Sequence, residues 1–155
     1  MTQRLVNILV VEDEEDVAVG VAGALRKLDG VGQVTTTPSA EWALAEMAQK
    51  PYGLVLCDVR LKGMDGLELL SRIRQSHPHT RVLMMTAFPS DHIQLHALRL
   101  GSDGLIEKPF DLGELRQEVS RVLRAARREQ PKAAVPGAEA WVAAGTSDEH
   151  AAMRK

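Results

Sequence analysis

The sequence lacks the features that mark secreted, membrane-spanning or nucleic-acid-binding proteins. Only one of its 155 residues is a cysteine, Cys57, so no intramolecular disulfide can form and a reducing compartment fits. No apolar run reaches the roughly 18 residues that a membrane-spanning helix needs. The formal net charge is only −2, which gives no field that favours nucleic acid. These absences predict a cytoplasmic protein that binds neither membranes nor nucleic acid directly.

Five short strand-like runs, most of them apolar, alternate with five segments of helical periodicity. The runs predict strands at 6–11, 31–37, 52–58, 81–87 and 103–108. The periodic segments predict helices within 14–30, 40–50, 65–76, 89–101 and 111–128. Strict alternation with buried strands is typical of a parallel sheet that is covered by helices on both faces. We therefore expect an α/β fold with a doubly wound, open, five-stranded sheet.

Polar side chains follow four of the predicted strands. Glu12 and Asp13 follow the first, Asp58 ends the third, Thr86 ends the fourth, and Lys108 follows the fifth. Doubly wound sheets bind ligands beyond the carboxyl ends of their strands, so these groups should converge. Clustered carboxylates favour a hard cation such as Mg²⁺, and a carboxylate beside Mg²⁺ can attack phosphorus. The pattern indicates chemistry on a phosphoryl group.

Four segments give the sequence a family likeness. In order they are VVEDEE, DVRLKGMDG, MMTA and EKPF, spread over residues 5 to about 125. Together they resemble the receiver domain of two-component response regulators. The resemblance implies a flavodoxin-like fold with the strand order 2-1-3-4-5. It also implies a signalling switch that takes a phosphoryl group from a histidine kinase or phosphotransfer protein and then changes its partner binding.

The resemblance assigns roles to individual residues around the metal. Asp58 corresponds to the phosphoacceptor. Glu12 and Asp13 correspond to the acidic metal pair, and the main-chain carbonyl of Arg60 corresponds to a further ligand. The expected cofactor is Mg²⁺, which Mn²⁺ can replace. The only expected catalysis is the domain's own phosphorylation and autodephosphorylation, so no separate enzyme activity is predicted.

Two further positions correspond to phosphate contacts, and one departs from the family pattern. Thr86 and Lys108 match the pair that contacts the phosphoryl group, and the Lys108–Pro109 bond is expected to be cis. Receivers usually carry an aromatic residue three positions before the lysine, where this chain has Leu105. The aromatic side chain whose rotamer usually changes on phosphorylation is therefore missing. We expect Thr86 and the fourth helix to transmit the signal instead.

A helical-wheel projection places apolar and basic residues outside the predicted core. On the fourth helix Leu95 and Leu98 lie opposite the face that meets the sheet. On the fifth, Arg121 and Arg124 turn away from the predicted apolar stripe, which comprises Leu112, Leu115, Val119, Val122 and Leu123. An apolar strip beside a basic one is typical of a partner surface, which predicts a downstream protein or a homodimer bound through these two helices. Scattered surface leucines and a solvated charged face remain an alternative.

The chain divides into an expected receiver domain, 1–128, and an Ala-, Pro- and Gly-containing tail, 129–155, without an output domain. The tail has too little apolar surface to order itself, so we expect it to be flexible. The principal alternative is that the chain is the receiver fragment of a longer multidomain regulator.

Other protein classes explain the sequence less well. An aspartyl-nucleophile phosphatase needs a second acid two residues after Asp58, where this chain has Arg60. A flavin mononucleotide module needs a donor-rich loop after the first strand, and the acidic EDEED there would repel the phosphate. A degenerate receiver that only binds partners would normally lack one of the key groups.

Overall fold

The computed structural model describes residues 4–126, in which five strands and five helices alternate. The strands are β1 (Val6–Val11), β2 (Val31–Thr37), β3 (Leu54–Asp58), β4 (Arg81–Thr86) and β5 (Gly104–Glu107). The helices are α1 (Glu15–Leu25), α2 (Ala40–Gln49), α3 (Gly66–Ser76), α4 (Asp91–Arg99) and α5 (Leu112–Ala126). The predicted α/β alternation is confirmed. The predicted tail, 129–155, lies outside the described residues.

The strands form one parallel sheet in the order β2-β1-β3-β4-β5, which confirms the order implied by the resemblance. The chain first adds β2 on one side of β1 and then crosses to add β3 on the other. The strand order thus reverses at β1, and a cleft opens beyond the carboxyl ends of β1 and β3. Val11 lies opposite Cys57 in this pair, so the residues that follow β1 stand beside Asp58.

The sheet separates two apolar layers because successive strand residues point to opposite faces. In β1, Leu9 and Val11 pack with α2, α3 and α4, whereas Ile8 and Val10 pack with α1 and α5. All four side chains are fully buried. Burying one such side chain contributes about 1.5–3 kcal/mol to the free energy of folding. Because both faces of the sheet are covered, successive residues of a central strand are apolar.

Several element ends differ from the predicted ones. Helix α1 ends at Leu25 rather than near Gly30, because the chain turns through short-range hydrogen bonds after Arg26. Strand β3 begins at Leu54 rather than at Tyr52, whose hydroxyl donates to Glu46 on α2. The remaining ends agree within two residues over the described part of the chain.

The predicted apolar stripe of α5 included Leu112, and this was wrong. Leu112 is 46% exposed, whereas Leu115, Val119, Val122 and Leu123 are buried. Leu112 is the first residue of α5. It therefore lies at the end of the helix, beyond the edge of the apolar cluster that the later turns of α5 cover.

Gly66, the first residue of α3, lies against the backbone of Asp58. A Cβ atom at this position would overlap the Asp58 carbonyl oxygen and lie 2.9 Å from its carbonyl carbon. We expect Gly66→Ala to displace the end of β3 and to destabilise the fold by about 1–3 kcal/mol. Urea denaturation measures the change. The control is Gly20→Ala in α1, which has no atom within 4 Å of the new Cβ and should stabilise slightly. Equal stability of both variants would contradict the prediction.

Within residues 4–126, no helix combines the length and the apolar character that crossing a membrane requires.

Candidate functional site

Strands β1, β3 and β5 deliver most of the predicted site residues to one edge of the sheet. Glu12 and Asp13 follow β1, Asp58 ends β3, and Lys108 follows β5. Because the strands are parallel, their carboxyl ends all lie at this edge. The structure therefore brings together residues that are up to 96 positions apart in the sequence.

Lys108 bridges two of the carboxylates. Its Nζ atom donates to Oε2 of Glu12 and to Oδ2 of Asp58, each at 2.6 Å. Partial burial disfavours the ammonium charge, but the hydrogen bonds to Asp58 and Glu12 outweigh this effect and raise the pKa of Lys108. The lysine is thus held as a cation within reach of any group that binds to Asp58. The Lys108–Pro109 peptide bond is cis, as expected.

The acidic residues form a compact oxygen-rich cluster. One carboxylate oxygen from each of Glu12, Asp13 and Asp58 lies within 4.8 Å of the others. The pKa of Glu12 is raised to about 7. Burial is the largest cause, the hydrogen bond from Lys108 opposes it, and the nearby charge of Asp58 adds to the increase. A further cation would relieve this unfavourable negative charge. The donor set, all oxygen and carrying several charges, fits a hard divalent cation such as Mg²⁺.

A cavity of about 460 Å³ opens above the cluster. Its wall comprises Asp13, Glu14, Asp58, Arg60, Leu61, Lys62, Gly63, Asp65, Ala87, Phe88 and Lys108. Glu12 is not part of this wall and is only 2% exposed. The cavity is large enough for a phosphoryl group and its hydrating water, and it opens directly onto the Asp58 carboxylate.

Arg60 and Phe88 both line this cavity and contact each other. The main-chain nitrogen of Arg60 donates to Oδ1 of Asp58 at 3.0 Å, which fixes the orientation of the carboxylate. The Arg60 guanidinium lies 4.9 Å from the centre of the Phe88 ring, a cation–π contact. The Arg60 side chain therefore extends across the cavity towards the β4–α4 loop. The role of its main-chain carbonyl as a metal ligand stays a prediction.

Thr86 lies at the carboxyl end of β4 but not on the cavity wall. Its side chain is completely buried, and its hydroxyl accepts a hydrogen bond from the main-chain nitrogen of Phe88 at 3.1 Å. In this arrangement the hydroxyl is engaged by the loop that follows it. Accepting this bond leaves the O–H of Thr86 able to donate. The predicted contact with a phosphoryl group would instead require the buried side chain to turn towards the cavity.

The predicted switch and output residues lie on a neighbouring surface. Leu105 on β5 is half-buried and packs against the layer under α4. It also lines a groove of about 640 Å³ together with Leu95 and Leu98 of α4. Leu98 is 63% exposed, which agrees with its predicted outward position.

The two predicted basic residues on α5 are also exposed, but only one has a described partner. Arg121 pairs with Glu118 at 2.9 Å and donates to the main-chain oxygen of Asp103, also at 2.9 Å. Arg124 lies one turn further along the helix. Its side chain is exposed in a groove between α5 and the turn that follows α1. Arg121 therefore has a structural role within the described residues, whereas Arg124 is the more available of the two for contact with a partner.

The sequence pattern did not single out Asp65, which lines the cavity. Asp65 is the N-cap of α3, where its Oδ1 accepts from the main-chain nitrogen of Glu68 at 3.0 Å. An aspartate followed by glycine before an amphipathic run is an N-terminal helix signal and would have located it. Its carboxylate adds to the negative charge at the rim of the cavity.

Comparison with known proteins gives consistent matches. A family model described as the response regulator receiver domain matches residues 8–120. The response regulator protein PilR of Pseudomonas aeruginosa is 35% identical over 129 residues, which cover 82% of this chain and 28% of PilR. The nitrogen assimilation regulatory protein NtrX of Azorhizobium caulinodans is 36% identical over 123 residues, covering 78% of this chain and 27% of NtrX. This chain therefore spans less than a third of either relative.

A solved structure agrees with the same assignment. The CheY-like response regulator receiver domain protein from Methanospirillum hungatei superposes with a TM-score of 0.76 at 26% identity. The match covers 81% of this chain and 99% of that structure. The residues that the family model matches, 8–120, include the acidic cluster and Lys108.

Proposed function

Since this chain belongs to the response regulator receiver domain family, we propose that it is a switch that is phosphorylated on Asp58. The phosphoryl group would come from a histidine kinase or a phosphotransfer protein, and its arrival would change partner binding. The observation that carries this proposal is the Asp58 carboxylate, which faces an open cavity while Lys108 contacts it at 2.6 Å. Nucleophile and charge-stabilising cation are thus already in contact.

The chain's own residues account for the transfer. An Asp58 carboxylate oxygen forms a bond to phosphorus while the bond from phosphorus to the donor breaks, so the phosphoryl group moves without a change in oxidation state. The hydrogen bond from the Arg60 main-chain nitrogen orients the attacking carboxylate. Lys108 balances charge on the phosphoryl oxygens.

Glu12 and Asp13, together with Asp58 and the Arg60 carbonyl, are the residues that would hold Mg²⁺. Receiver domains bind Mg²⁺ at an acidic pocket, and the cluster supplies such a pocket here. The bound ion would neutralise negative charge on the phosphoryl oxygens, and we expect Mn²⁺ to support the same reaction. The test is intact-mass analysis after incubation with acetyl phosphate. Phosphoryl uptake in Mg²⁺ and its loss in excess EDTA would support the proposal, whereas uptake that is unaffected by EDTA would contradict it.

The alternative functions have less support. Arg60 occupies the position where a phosphatase of the aspartyl-nucleophile type needs an acid, and its side chain contacts Phe88 instead. We therefore propose no turnover of separate substrates beyond autodephosphorylation. The greater lengths of PilR and NtrX are consistent with the alternative of a receiver within a longer regulator. The absence of direct nucleic-acid binding stays a prediction.

We propose that the output surface includes Leu98 and Arg124. Release of the Thr86 hydroxyl from the Phe88 amide would shift the β4–α4 loop and hence α4. Leu105 fills the place of an aromatic switch, so we expect a small shift between the two states.

We expect Leu98→Glu to weaken phosphorylation-dependent association by at least about tenfold, because a charge replaces an apolar contact. Arg124→Glu should also weaken association where an acidic group of the partner faces Arg124, but by less than Leu98→Glu does. Sedimentation with and without a beryllofluoride phosphoryl mimic measures the effect. The matched control for Leu98→Glu is Val19→Glu, since Val19 is equally exposed at 63% but lies on α1, across the sheet from α4. If neither Leu98→Glu nor Arg124→Glu alters association, this face is not the output surface.

A further inference from the structure

The loop between β3 and α3 has an attachment to α2 that the transfer mechanism does not use. This loop, residues 59–65, leads from Asp58 to the N-cap of α3. The main-chain nitrogen of Met64 donates to Oε1 of Glu41 at 2.8 Å. Glu41 lies in the first turn of α2, which begins after the N-cap Ser39. One side chain therefore connects α2 to the end of this loop.

The attached part of the loop forms the cavity wall. Lys62 and Gly63 both line the cavity that opens onto Asp58. Gly63 has a φ of +79°, in the left-handed region, so the chain turns sharply just before Met64. A Cβ atom at Gly63 would lie only 3.1 Å from Oε1 of Glu41, which places the carboxylate directly against the turn.

The two ends of the loop are held by different carboxylates. At the start, Asp58 accepts from the main-chain nitrogen of Arg60 at 3.0 Å. At the end, Glu41 accepts from Met64. The first of these contacts must tolerate a change of charge when Asp58 is phosphorylated. The second contact does not involve the reacting group and can hold the loop in both states.

We propose that Glu41 is a positioning residue for the phosphorylation site, acting through its hydrogen bond to Met64 to hold the loop that carries Arg60, Lys62 and Gly63. This role rests on the proposed phosphorylation of Asp58. Glu41 itself touches neither the phosphoryl group nor the cluster. By fixing the loop it sets the position of the Arg60 main chain, which orients Asp58 and supplies the proposed fourth metal ligand.

The charge of Glu41 supports this role. The hydrogen bond from the Met64 amide lowers the pKa of Glu41, so the carboxylate is ionised when it accepts that bond. A carboxylate in the first turn of a helix is also favoured by the helix dipole. That effect alone would make Glu41 a local stabiliser of α2 with no influence on the loop. The experiment must therefore separate an effect on the loop from an effect on the helix.

The test compares Glu41→Ala and Glu41→Gln with Glu46→Ala in the full chain. Glu46 is the matched control because it lies on the same helix and accepts from the Tyr52 hydroxyl at 3.1 Å, with no contact to the loop in the described structure. Hydrogen exchange at the amides of Gly63 and Met64 is the first measurement. The second is the Mg²⁺ concentration that gives half-maximal labelling by acetyl phosphate.

We expect Glu41→Ala to speed exchange at Met64 by about fivefold, a larger change than at any amide of helix α2. The same variant should raise the half-maximal Mg²⁺ concentration by about threefold or more. Glu41→Gln retains a side-chain oxygen acceptor and should restore most of both properties. Glu46→Ala should match the wild type in both.

Unchanged exchange at Met64 in Glu41→Ala would overturn the proposal, as would an equal response in Glu46→Ala. Faster exchange with unchanged Mg²⁺ dependence would also overturn it, because the contact would then hold the loop without positioning the site. Failure of the wild type to take up a phosphoryl group would instead contradict the proposed function. The exchange measurement on the same variants shows separately whether the contact between Glu41 and the loop exists.

Discussion

Asp58→Asn is expected to abolish phosphoryl uptake from acetyl phosphate, with labelling at least roughly 1,000-fold slower than in the wild type. The amide that replaces the carboxylate is nearly the same size but is not a nucleophile towards phosphorus. It can still accept a hydrogen bond from the Arg60 main-chain nitrogen, which lies 3.0 Å from Oδ1 in the wild type. The fold should therefore persist. Intact-mass spectrometry over time, in Mg²⁺, measures the difference.

The matched control is Asp29→Asn, since Asp29 is an exposed aspartate in the turn after α1. It should be labelled at the wild-type rate. A mass gain that survives Asp58→Asn would assign the phosphoryl group to another residue. Loss of labelling in Asp29→Asn would show that the assay reports surface charge and not the nucleophile.

Asp103→Ala is expected to have the largest effect on stability, a loss of about 3–5 kcal/mol in the free energy of unfolding. Its carboxylate lies 3.4 Å from the Arg81 guanidinium, and the two side chains are only 9% and 3% exposed. It also accepts from the main-chain nitrogen of Val82 at 2.9 Å. Removing it leaves a buried cation with one counter-ion fewer and a buried amide without this acceptor.

Urea denaturation followed by circular dichroism tests the effect of Asp103→Ala. Asp103→Asn should recover part of the loss, because the side-chain oxygen can still accept from Val82. The control is Glu118→Ala, which breaks the Glu118–Arg121 pair. Those side chains are 39% and 49% exposed, so solvent screening should limit the change to under about 1 kcal/mol. A loss of under about 1 kcal/mol in Asp103→Ala would contradict the expectation.

The order and type of the elements were predictable because each follows from local pattern and burial. The most buried strands, β1, β3 and β4, are largely apolar runs. Ile93 and Ala97 of α4, and the C-cap residue Leu100, are inward as their helical spacing predicts. The prediction for Leu112 failed because periodicity does not say where the covering layer ends. The strand order came from the family resemblance, since alternation alone does not determine which strands are neighbours.

The site was predictable where it depends on strand ends and not where it depends on loop geometry. Parallel strands bring Asp58, Glu12 and Lys108 together whatever the loops do. The contact between Glu41 and Met64 joins residues 23 positions apart and leaves no spacing signal. Nor does the sequence reveal that the Thr86 hydroxyl is engaged by the amide of Phe88.

The contacts of Lys108 with Glu12 and Asp58 determine when, during synthesis of the chain, the site becomes complete. Lys108 lies 96 positions after Glu12 and 50 after Asp58, so a ribosome produces both acids long before the lysine. Until β5 emerges and joins the sheet, the two carboxylates lack this counter-ion. Contacts between residues so distant in sequence also form slowly, because a long segment must first close into a loop. A nascent receiver should thus become competent for phosphoryl transfer only after β5 docks on the sheet.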